Sequence, residues 1–65
     1  MSDKAHILLI NEDVQLAESL RTLLESVGYE VSCAYDLEYG SALAWEKGPD
    51  LIVIDSSTAA QSGRG

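Results

Sequence analysis

Two four-residue apolar runs punctuate the chain, ILLI at 7–10 and LIVI at 51–54. Asn11, Glu12 and Asp13 end the first, and Asp55 ends the second. An unbroken apolar run of this length between polar residues suits a strand covered on both faces, as in a parallel sheet. Between the runs the period changes twice. In DVQLAESLRTLLESVG, Leu16, Ala17, Leu20, Leu23, Leu24 and Val27 recur at three and four residues, which lays one apolar stripe on a helix of about four turns. Asp13 is placed to cap its first turn, and Gly28 to take the left-handed position that ends it. YEVSCA then alternates, Tyr29, Val31 and Cys33 against Glu30 and Ser32, which predicts an edge strand with one less protected face.

A second helix is predicted from a cap at Asp36 to a stop at Gly48. Its interior Gly40 costs about 1 kcal/mol relative to Ala, which a short helix packed close against a sheet, or one partly exposed, would explain. The spacing gathers Leu37, Gly40, Ser41 and Ala44 on one narrow face and points Leu43 and Trp45 elsewhere. Pro49 restricts Gly48 and introduces the last strand. The final stretch, SSTAAQSGRG at 56–65, reads as a polar tail with one helical turn at 58–61.

The sum is an α/β fold, β-α-β-α-β, occupying residues 1–65 as one domain. Short connections require parallel strands and right-handed crossovers. The expected strand order is 2-1-3 with helices on opposite faces. The third strand then presents an unpaired apolar edge, which proteins cover or pair. Two expectations follow: a homodimer through this edge, or a remainder of the domain that covers it.

Sixty-five residues bury only about 60% of their unfolded surface, so help from a second chain is in keeping with the size. Four Lys and Arg against eleven Asp and Glu give a formal net charge of -7. That field repels phosphate backbones and argues against direct nucleic-acid binding. The single Cys33 forms no intrachain disulfide and fits a reducing cytoplasm. No segment reads as a signal peptide or membrane span.

Adjacent parallel strands open their C-terminal ends on one rim, where open α/β sheets place ligands. That rim should bring Asn11 and Glu12 close to Asp55. Oxygen-bearing side chains gathered there suit a hard cation such as Mg²⁺, and a carboxylate beside such an ion can attack a phosphoryl group. Asp13 is better explained as a helix cap than as a ligand, while Asn11 fits either a bond to its own loop or a place at the site. His6 precedes the first strand, at the far end, and reads as a surface residue. Tyr29 covers a helix end, and Trp45 is a candidate interface anchor. Glycine-rich phosphate loops, Ser-His-Asp sets and zinc spacings are absent, which disfavours nucleotide chemistry and independent enzymatic turnover.

HILLINED, the run LRTLLESVGYEVSCAYD and PDLIVID together resemble the first half of the response-regulator receiver domain of two-component signalling, a flavodoxin-like fold. The resemblance spans residues 7–55. It implies that Asp55 is the phospho-accepting aspartate, that Asn11 and Glu12 stand at the acidic pair holding Mg²⁺, and that Ser57 lends a backbone carbonyl to that ion. The implied partner is a histidine kinase, whose phosphohistidine supplies the phosphoryl group.

The chain departs from that pattern in several places. Asn11 removes a charge from the acidic pair, Glu12 is longer than the customary aspartate, and SSTAA lacks the usual proline. The fourth and fifth strands of a receiver, with their hydroxyl and lysine, have no counterpart in these residues. The resemblance therefore implies weak Mg²⁺ binding and at most weak phosphoryl acceptance. Three readings stay open: a truncated receiver in signalling, a homodimerisation or protein-interaction module without phosphotransfer, and an inactive piece of a larger receiver protein.

Overall fold

The computed structural model describes residues 4–55. They form β1 (His6–Ile10), α1 (Val14–Ser26), β2 (Glu30–Ala34), α2 (Leu37–Lys47) and β3 (Leu51–Ile54). The three strands are parallel in the order β2-β1-β3. This is the predicted topology, with β2 at an edge, and it corresponds to part of a flavodoxin-like, receiver-type fold. Leu8 stands between Ser32 and Ile52, and Ile10 between Ala34 and Ile54.

The helices begin and end where local chemistry requires. The Asp13 carboxylate accepts the Leu16 N–H at 3.2 Å, and the Asp36 carboxylate accepts the Tyr39 N–H at 2.7 Å, each satisfying an orphan donor of the first turn. Gly28 follows α1 at φ +104° and Gly48 closes α2 at φ +56°, conformations open to glycine without a Cβ penalty.

β1 is the centre of the molecule, with Ile7, Leu8, Leu9 and Ile10 only 1–4% exposed. Leu8 and Ile10 join Ala34 and Leu43 in a core closed by Leu37 and Ala44 of α2. Leu9 and its register partner Cys33 occupy the other face. There Ala17 of α1 is fully buried and the Cys33 thiol lies 4.0 Å from the Ala17 carbonyl oxygen.

Gly40 serves the predicted close approach: a Cβ there would sit 2.5 Å from Ile10 Cδ1 and 2.7 Å from Cγ1. The predicted small-residue face of α2 needs correction, since Leu43 is buried and Ser41 is exposed. Burying the leucine and leaving the serine hydroxyl in water is the better exchange. His6 also differs from expectation. It is the first residue of β1 and is partly buried, and its Nε2 lies 2.8 Å from the Ser32 hydroxyl oxygen.

β3 has the composition of a covered strand and, among the described residues, no cover. Its four residues are 41–54% exposed. By register, Ile52 and Ile54 lie on the α2 side of the sheet, and Leu51 and Val53 on the α1 side. The helices sit over β1 and β2 and leave both faces of β3 exposed. Ser57, the turn at 58–61 and the rest of 56–65 lie outside the described residues. No described helix is long and apolar enough to cross a membrane.

A candidate acidic site at the strand ends

Because Ile10 is in register with Ile54, the residues that follow them leave the sheet at the same rim. Asp55 N–H donates to the Ile10 carbonyl at 3.0 Å, and Asn11 N–H donates to the Ala34 carbonyl at 3.0 Å. These backbone bonds fix where both side chains start. The rim encloses an open depression of about 540 Å³ lined by Asn11, Glu12, Asp13, Leu16 and Asp55. Three of the four residues predicted for the site thus meet; the fourth, Ser57, is outside the described residues.

The members of this rim divide by task. Asn11 is buried, only 7% exposed, and its side-chain oxygen accepts the Asp13 N–H at 2.8 Å. This bond tightens the turn between β1 and α1, the local bonding available to Asn from its own loop. Asp13 caps α1, as its position in the sequence suggested. Glu12 and Asp55 are the two remaining carboxylates in the lining. The N-terminal end of α1, with Asp13 and Leu16, opens on the same depression.

Among the described residues, no group of three or more His, Cys, Asp or Glu side chains is disposed to hold a metal ion. Mg²⁺ commonly binds through one or two carboxylates while keeping several waters. Asn11 could contribute only the lone pair left by its bond to Asp13.

A shallower apolar groove of about 260 Å³ leaves the rim between α1 and β3, lined chiefly by Leu9, Leu16, Leu20, Val53 and Ile54. At the opposite rim, His6 N–H donates to the Asp50 carboxylate and Asp50 N–H donates to the His6 carbonyl, each at 2.8 Å. This reciprocal pair ties the start of β3 to β1. Tyr35 donates to Glu18 at 2.9 Å, and Arg21 also bonds Glu18, joining the end of β2 to α1. The Tyr35 hydroxyl, and then the Arg21 guanidinium, hold Glu18 below the usual carboxylate range. The Glu18 bond pushes Tyr35 up. Burial pushes the Cys33 thiol up. The Tyr35 and Ser32 contacts were not legible in the sequence, because each joins residues distant in the chain through a register that spacing alone does not supply.

No family model matches the sequence. No solved structure gives a significant match to the fold.

Proposed function

We propose that this chain is a receiver-like module of two-component signalling in which Asp55 accepts a phosphoryl group weakly, with Glu12 as its companion carboxylate. The observation carrying this reading is the meeting of Asn11, Glu12 and Asp55 around one open depression at the C-terminal rim of a parallel sheet. An Asp55 oxygen attacks the phosphorus of a kinase phosphohistidine. An O–P bond forms as the N–P bond breaks, and the imidazole leaves as the neutral base after taking up a proton. Glu12 and Asp55 would hold Mg²⁺, which when bound supplies positive charge to the transferring oxygens. Asn11 positions the loop that carries Glu12. Sited at an exposed rim in high dielectric, two carboxylates bind a cation weakly, which is why the proposed acceptance is weak.

Intact-mass measurement after incubation with a small acyl phosphate and Mg²⁺ tests the proposal. One added phosphoryl group is expected, lost in Asp55→Asn and reduced in Glu12→Gln. No gain, or a gain surviving Asp55→Asn, overturns it. Backbone chemical shifts at Glu12 and Asp55 during Mg²⁺ titration report the cation separately.

A second reading, a protein-interaction or homodimerisation module without phosphotransfer, is favoured by the exposure of all four apolar residues of β3. It requires nothing of Asp55. An assembly that persists unchanged in Asp55→Asn is its expected signature.

A further inference from the structure

We infer that β3 is a hinged strap, latched by Asp50, that leaves and rejoins β1 as a unit while β1, β2 and both helices stay folded. The strap itself needs none of the chemistry proposed above; its effect on the acidic rim rests on that reading.

The way β3 is held sets it apart. The apolar residues of β1 are 1–4% exposed and those of β3 are 41–54% exposed. The groove of about 260 Å³ stands between Val53 and Ile54 on one side and Leu16 and Leu20 of α1 on the other. β3 is secured by its parallel ladder on β1, which ends with Asp55 N–H on the Ile10 carbonyl and begins with the reciprocal His6 and Asp50 bonds. A segment with few buried apolar contacts and exposed hydrogen bonds opens at lower cost than the core. The bond from His6 N–H to the Asp50 carboxylate is charge-assisted, and so the strongest kind at this end. It also stands at the hinge. Gly48 N–H stays with α2, donating to the Ala44 carbonyl at 3.0 Å, so the strap begins just beyond Gly48 and Pro49.

Main-chain direction specifies which amides the strap protects. The His6 and Ile10 carbonyls accept from Asp50 and Asp55, so the even-numbered residues of β1 turn their polar groups to β3. Asn11 N–H donates to the Ala34 carbonyl and the Ala5 carbonyl accepts the Glu30 N–H, so the odd-numbered residues turn theirs to β2. Opening the strap therefore uncovers the N–H groups of Leu8 and Ile10 and leaves that of Leu9 covered. Alternation back from Asp55 turns the Val53 N–H to β1, so it is uncovered with them. The same seam divides the rim. Glu12 follows β1 and Asp55 follows β3, so the two carboxylates meet only when the strap is docked. A cation held between them binds the docked form and shifts the strap toward it.

Amide hydrogen exchange of the whole chain, read residue by residue by NMR without added metal, tests the strap. Leu8, Ile10, Val53 and Asp55 should exchange as one group, at least about tenfold faster than Leu9 and Asn11 once intrinsic rates are divided out. Equal protection from Leu8 to Asn11 overturns the inference, because β3 then leaves only when the whole chain unfolds. Protected Leu8 and Ile10 beside an exchanging Val53 overturn it too. Asp36→Ala weakens α2, which stays folded when the strap opens, so it should speed Leu9 and Asn11 by about fivefold and leave the strap group unmoved; acceleration of both groups alike contradicts a separate strap. Asp50→Ala should speed the strap group by about tenfold, and unchanged exchange removes the latch. If either variant unfolds the chain, the alternation along β1 in the unaltered protein still decides. Mg²⁺, compared with Na⁺ at equal ionic strength, should slow the strap group. Alternation that Mg²⁺ leaves unchanged overturns the coupling to the rim and keeps the strap.

Discussion

β1 and β3 are neighbours of nearly the same composition, and their fates diverge. ILLI of β1 is 1–4% exposed, whereas LIVI of β3 is 41–54% exposed. Both are parallel strands in one sheet, so the difference comes from position. β1 has a strand on either side and a helix over each face. β3 has one neighbour and, among the described residues, no helix. An apolar run thus specifies a strand that gains by being covered on both faces; whether it is covered depends on what packs around it.

The register pair Leu8 and Ile52 offers the sharpest way to break this contrast. Leu8→Ala should cost about 3–5 kcal/mol, comparable to the whole stability of a domain this small, and urea titration or circular dichroism should show an unfolded chain. Ile52→Ala should cost about 1 kcal/mol or less in the monomer, because its side chain is already half in water. Equal costs would mean that β3 is covered in solution.

Gly40→Val comes next. Its methyl groups would extend beyond a Cβ that already meets Ile10 at 2.5 Å, so a loss of about 1–3 kcal/mol is expected in denaturant unfolding. Helix propensity alone favours the replacement slightly; a stabilised variant would show that α2 can move off β1 freely.

The strand ends differ less. Asn11→Ala removes a buried side chain bonded to the Asp13 N–H and should cost about 1–2 kcal/mol by thermal unfolding. Asp36→Ala, which removes the α2 cap, should cost about 1 kcal/mol.

The smallest effect is that of pH. Glu18 is held below its ordinary range by Tyr35 and then Arg21. Its contribution is present above the unfolded carboxylate pKa and is lost as pH falls through the depressed value. Tyr35 and Cys33 are raised. Their contributions are present below the unfolded values and fade as pH rises through the folded ones. A thermal-melt profile should decline gently at both extremes, and Tyr35→Phe should flatten its acid limb.

Much of this was legible in the chain. Periodicity identified all five elements, the aspartates at 13 and 36 marked the helix starts, and topology placed Asn11, Glu12 and Asp55 at one rim. The orientation of α2 was misread because Ser41 and Leu43 lie on either side of the small face, and only the burial of Leu43 decides between them. The uncovered apolar edge of the third strand was anticipated. The exposure of both its faces was not, since an apolar run carries no information about which helix will cover it. The division of labour between Asn11 and Glu12 also required three-dimensional distances.

Trp45, on the outer side of α2, is 92% exposed. As the chain's single tryptophan, it makes an unusual optical probe: its indole is nearly as hydrated when folded as when unfolded, so its emission should barely shift through denaturation. The same property makes it a quiet background against which any molecule settling on that side of α2 would register as a blue shift.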